Sequence, residues 1–191
     1  MEVPEDNWET KAFLGWDYGF EPAETVKIQK ATAAAKTAGA AVVVAGIVEG
    51  EFIDRASLDL PGYQEKLIRA VAATGVPTVV VIVGGSAVTM SGWLEDVGAV
   101  VDAWYGGEEG GTAVAEALFG LYNPAGRLPI TFPRSASQLP LTSNHKPTGR
   151  GYDYGFMSAV PLCPFGHGLS YTRLDYANLG FDTARSSADG T

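Results

Sequence analysis

Apolar residues gather in short blocks along the 191-residue chain: "AAVVVAG" at 40–46, "PTVVVIVGG" at 77–85 and "AVVDAWYGG" at 99–107. Segments with helical character alternate with them. Residues 24–37 combine helix formers with Ala-rich faces and are stopped by Gly39. In 62–75, Leu67, Ile68, Val71 and Ala72 fall on one stripe between Pro61 and Gly75. "VTMSGWLEDVG" at 88–98 predicts a short helix, and "EGGTAVAEALFG" at 109–120 predicts another with Glu108 and Glu109 at its positive N-terminal end. Uninterrupted apolar blocks suit strands buried on both faces. The expected fold is therefore α/β, a three-layer α/β sandwich with a mostly parallel sheet, flavodoxin-like in its alternation.

Parallel α/β sheets carry their functional loops at the carboxyl ends of the strands. The first block runs at once into "GIVEGEFIDRASLDLPGYQ", residues 46–64, where Glu49, Glu51, Asp54 and Arg55 follow within ten positions. Charge concentrated there marks a candidate site. If the segment is extended, Glu49 and Glu51 point the same way.

Past Asn123 the texture changes to Pro, Gly, Ser and aromatic residues, which predicts extended segments and turns rather than helix. Three regions result: an N-terminal arm or linker at 1–23, the α/β domain at 24–172, and at 173–191 the alternating start of another all-β unit.

The net charge of −9, with only 13 Lys and Arg, argues against nucleic acid and anionic membrane as partners. The longest apolar run, at 78–83, falls far short of the roughly 20 residues a spanning helix needs. Met1 opens an acidic, polar stretch rather than a signal peptide. A chain starting there would stay in the cytoplasm, whereas a piece of an exported enzyme would be periplasmic or secreted. The lone Cys163 excludes an internal disulfide, and with two histidines far apart no metal site is expected. "YGGEEGG" at 105–111 lacks the Lys-Ser/Thr of a phosphate loop, so its glycines read as a tight strand-to-helix turn. No cofactor is expected.

Five segments taken in order, "EGEFIDRASLDLPGYQEKLI", "VVVIVGGSAVTM", "AWYGGEEGGTAVAEALFGLYNPAGRLPITFP", "NHKPTGRGYDY" and "PFGHGLSYT", resemble the second, α/β-sandwich domain of family-3 glycoside hydrolases, the β-glucosidases and β-xylosidases. The resemblance implies a retaining β-glycosidase acting on terminal β-D-glycosides, with a separate (β/α)8 barrel supplying the nucleophile. It implies that Glu51, three residues before Asp54-Arg55, is the general acid/base. It also implies that the chain is inactive without the barrel, and that the tail from about Leu174 enters a fibronectin-III-like domain. Glu49 is the runner-up, either as the acid/base in a shifted register or as a hydrogen-bond partner to substrate or to Glu51. Asp54 and Arg55 are expected to pair with each other and support the loop. His145 and Lys146 are expected at the surface, and so is His167, which stands where relatives often carry an aromatic residue. Trp104 and Tyr105 suit either sugar stacking or burial. A surface shaped to meet a barrel leaves self-association of the isolated chain open. The rival readings are a non-catalytic carbohydrate-binding or assembly module of the same fold, and a nucleotide- or flavin-binding protein without a phosphate motif.

Overall fold

The computed structural model describes residues 22–53, 55–139, 160–173, 175, 177, 178 and 180. Helix α1 is Pro22–Lys36, strand β1 Ala41–Gly46, helix α2 Gln64–Ala72, strand β2 Thr78–Val83, strand β3 Ala99–Asp102 and helix α3 Gly110–Leu118. The strands form one parallel sheet in the order β1-β2-β3. Register runs from Ala41 opposite Thr78 to Gly46 opposite Val83, and from Val79 opposite Ala99 to Ile82 opposite Asp102. All three carboxyl ends therefore emerge on one edge.

Helix α2 lies against β1 and β2 and supports α1 from behind. Its buried side chains are Ile68 and Val71, at the centre of the predicted stripe, and Ile68 is fully inaccessible. Two strand predictions separate here. β2 is buried on both faces, with Val80, Val81 and Ile82 all enclosed, as its unbroken apolar run predicts. β1 alternates instead: Val43 and Ala45 are buried, while Val42 and Val44 are 52% and 66% exposed. The reason is position. β1 is an edge strand of the described sheet, and no described element covers its outer face.

The helix predicted at 88–98 is also corrected. Only a single 3-10 turn, Leu94–Asp96, forms there, because Val88, Met90 and Trp93 are drawn into the core by the chain's path under the sheet. Downstream, Phe132 is buried and pairs antiparallel with Cys163 through backbone hydrogen bonds. These are the extended segments that the Pro-rich texture predicts. The arm at 1–21, His145 and Lys146 lie outside the described residues, as does most of the tail from 174; His167 is exposed.

Close backbone approach fixes the strand end that carries the site. A Cβ on Gly46 would sit 2.4 Å from the Val83 carbonyl oxygen. Gln64, at the start of α2, then takes both backbone groups of Gly46: its Oε1 accepts from the N–H at 2.7 Å and its Nε2 donates to the carbonyl at 2.9 Å. The free edge of β1 is thereby closed by a side chain where the charged loop begins.

An Ile68→Ala variant should lose about 2 to 5 kcal/mol of stability in urea unfolding, whereas Val44→Ala should change it by no more than ~0.5 kcal/mol. Equal losses would contradict the uncovered face of β1.

Candidate functional site

Beyond Gly46 the first strand keeps one more sheet-like hydrogen bond, from Ile47 N–H to the Val83 carbonyl at 2.9 Å. Then the chain turns. Gly50 and Ile53 face each other across a turn closed by the Ile53 N–H to Gly50 carbonyl bond at 3.1 Å. Glu51 and Phe52 occupy the two tip positions, both exposed. The segment is therefore not extended, and Glu49 and Glu51 do not share a direction.

Glu49 points inward. Its Oε1 accepts from Gly85 N–H at 2.8 Å, and the Ser86 hydroxyl lies 3.0 and 2.8 Å from its two oxygens. The Arg55 guanidinium stands 3.7 Å from Oε2, and the two side chains are only 14% and 13% exposed. Arg55 is itself fixed on three sides, donating to the Ser57 carbonyl at 3.0 Å, Ser86 Oγ at 3.1 Å and the Ala87 carbonyl at 3.2 Å. A carboxylate with so little exposure needs donors of this kind to satisfy its oxygens.

Tyr105 closes the arrangement from β3. Its hydroxyl donates to the Ile47 carbonyl at 2.6 Å and accepts from Glu49 N–H at 3.0 Å. The ring lies over Gly85, where a Cβ would meet Tyr105 Cε2 at 3.0 Å. Tyr105 reaches back because the chain reverses at Trp104, a non-glycine residue at φ 51°. The reversal is held by Asp102 Oδ1, which accepts from Trp104 N–H at 3.3 Å, and by an edge-on contact of Trp104 with Phe132 at 6.3 Å.

Together Glu49, Gly50, Ile53, Arg55, Leu58, Gly85, Ser86 and Tyr105 line an open recess of about 390 Å³ on the carboxyl edge of the sheet. Of the sequence-derived candidates, Glu49 and Arg55 meet there. Glu51 stands outside on the adjoining turn, exposed and without a hydrogen bond or ion pair among the described residues, and Asp54 lies outside the described residues. The described acidic partner of Arg55 is Glu49. Tyr105, expected to stack on sugar or be buried, is a hydrogen-bonding member of the recess, and so is Ser86. The backbone N–H of Gly85 was missed, since only the strand register brings it opposite Glu49.

Comparison with known proteins bears on this arrangement. The family description "Glycosyl hydrolase family 3 C-terminal domain" matches residues 7–171. A beta-xylosidase of Formosa agariphila is 40% identical over 169 residues, covering 85% of this chain and 23% of that protein. A periplasmic beta-glucosidase of Salmonella typhimurium is 38% identical over 176 residues, with 85% of this chain and 23% of that protein covered. Among solved structures, a beta-glucosidase from Kluyveromyces marxianus in complex with glucose superposes with a TM-score of 0.69 at 34% identity, over 80% of this chain and 20% of that one. The chain thus spans less than a quarter of the length of these relatives.

Behind the recess, at the end of β3, lies a buried carboxyl. Burial pushes the Asp102 carboxyl up from 3.8 to about 6, opposed by the hydrogen bond from Trp104 N–H, and its Oδ2 is buried without a hydrogen-bond partner. A carboxyl whose pKa rises on folding binds its proton more tightly in the native state, so its contribution to stability is largest at low pH and declines as pH rises between 3.8 and about 6. Asp102→Asn should remove that slope, so that melting temperatures of parent and variant measured from pH 3.5 to 7 diverge progressively up to about pH 6. Parallel curves would contradict the burial of Oδ2.

Proposed function

Because the chain belongs to the C-terminal domain family of family-3 glycosyl hydrolases, we propose that it contributes the general acid/base, Glu51, to a retaining β-glycosidase of the β-glucosidase or β-xylosidase type. The observation that carries this reading is a division of labour between two neighbouring carboxylates. Glu49 is engaged by Gly85, Ser86 and Arg55 and has its oxygens committed to holding the loop, whereas Glu51 is exposed at the tip of the turn they hold. A proton-transfer group must be presented to substrate with its oxygens available. Only the second carboxylate meets that condition.

The chemistry assigned to each group follows from the requirements of retention, which calls for two carboxyl groups about 5 to 5.5 Å apart across the glycosidic bond. In this reading the nucleophile belongs to a (β/α)8 barrel partner. As its carboxylate bonds to the anomeric carbon, the bond from that carbon to the leaving oxygen breaks, and Glu51 gives its proton to that oxygen. Glu51, now a carboxylate, takes a proton from water as the water oxygen attacks the same carbon and the nucleophile is released. Arg55 and Glu49 act by keeping the turn in place, since a displacement of 1 Å can cost about 100-fold in rate. Asp54, expected beside Arg55, belongs to this supporting group by its place in the E-x-x-D-R register.

The test uses aryl β-glucoside and β-xyloside, hydrolysed by the chain alone, by the chain assembled with a family-3 barrel, and by the same assembly carrying Glu51→Ala. Turnover is expected only in the assembly. The variant should lose about 10²- to 10⁴-fold, with azide restoring part of the rate on substrates with good leaving groups by attacking the glycosyl-enzyme without needing a base. Undiminished turnover in the variant would overturn the assignment. An assembly that binds sugar without turning it over would favour a carbohydrate-binding module.

A further inference from the structure

The tip of the same turn holds a residue that the acid/base reading leaves unused. Phe52 sits at φ 67°, in the left-handed region where a bulky side chain is a rare and strained occupant. It is the third residue of a turn closed between Gly50 and Ile53, a position at which positive φ favours glycine. Its ring is also 94% exposed. Packing therefore does not reward the ring, and the backbone penalises it.

Both flanks of the turn are tied down. On one side Glu49 is held through its carboxylate by Gly85 N–H and Ser86, and through its backbone N–H by Tyr105. On the other, Ile53 N–H is bonded to Gly50 and Arg55 is pinned by three hydrogen bonds. Strained residues persist where their surroundings over-determine the backbone, and such positions cluster at functional sites. Here the anchors fix a conformation that holds an aromatic ring out in water, beside Glu51.

We propose that Phe52 determines specificity on the leaving-group side, its ring being the platform on which an aromatic or otherwise apolar aglycone of a β-glycoside rests. The inference depends on the reading of Glu51 as the acid. That acid must come within about 3 Å of the leaving oxygen, so the atoms attached to this oxygen lie within a side chain's reach of the neighbouring residue. A ring offers a flat apolar face there with little conformational entropy to lose, and such contacts are worth a factor of roughly 2 to 10 in affinity.

The experiment compares 2-phenylethyl β-D-glucoside with ethyl β-D-glucoside, two alkoxide leaving groups that differ chiefly in the aromatic ring, on the chain assembled with a family-3 barrel. Phe52→Ala and Phe52→Gly should each lower the ratio of kcat/KM for the phenylethyl to the ethyl substrate about 3- to 10-fold, mainly through KM, while Phe52→Tyr keeps it. Because only glycine relieves the backbone, the Gly variant of the chain alone should melt about 2 °C above the Ala variant. An unchanged ratio in both truncations, with the Glu51→Ala control inactive, overturns the platform and leaves the acid/base reading standing. Undiminished turnover in that control overturns both. Weakened assembly with the barrel at an unchanged ratio would assign the ring to the domain interface and equally overturn the proposal.

Discussion

A carboxylate withdrawn from water at the end of a parallel strand must find donors, and the way Glu49 finds them organises everything around it. The Gly85 N–H and the Ser86 hydroxyl come from the loop after β2 and the Arg55 guanidinium from the far side of the turn, while the backbone N–H of Glu49 donates to the Tyr105 hydroxyl from beyond β3. One residue, through its carboxylate and its backbone N–H, thus ties together the carboxyl ends of all three strands. A buried pair such as Glu49 and Arg55 is a poor source of net stability, because desolvation offsets its attraction. Its consequence is geometrical: the turn from Gly50 to Ile53 has one position, and what stands on its tip is aimed.

That constraint explains features which look unfavourable one by one. Trp104 and Phe52 both adopt positive φ, and Asp102 leaves a buried oxygen without a partner. The Trp104 and Asp102 costs arise where the chain must reverse to bring Tyr105 back over Gly85, the Phe52 cost where the turn must present its tip outward. These three costs sit within one edge of the sheet; Trp93 Nε1, in the core, is the other described buried side-chain polar atom without a partner, and β2 and α2 themselves carry no such group. This is the distribution expected when a rigid scaffold supports a working rim.

Much of this was legible in the residues, for reasons of differing strength. The β2 run and the Ile68 and Val71 stripe declare themselves by period alone, since burial there is enforced by immediate neighbours. β1 reads from sequence like β2, and only its place at the edge of the described sheet exposes Val42 and Val44. The segment with Met90 and Trp93 carries helix formers, yet core burial of those side chains overrides propensity and leaves a 3-10 turn. At the site, the spacing of Glu49, Glu51 and Arg55 marks the loop. Which carboxylate turns inward depends on Gly85 and Ser86, 36 and 37 residues away in the chain, and no local pattern encodes that.

The central claim is that the Glu49 carboxylate is what holds the turn, and amide hydrogen exchange on Glu49→Ala tests it most directly. Exchange at Glu49 itself is lost to comparison by the substitution, so the reporters are Gly85 and Ile53, whose N–H groups bond to the Glu49 carboxylate and the Gly50 carbonyl, with Ile47, bonded to Val83, as the internal control. The account predicts that protection at Gly85 and Ile53 collapses while Ile47 and the β1–β2 ladder keep theirs. Protection retained at Ile53 would contradict it, because the turn would then be held by its own backbone and Glu49 would be a bystander.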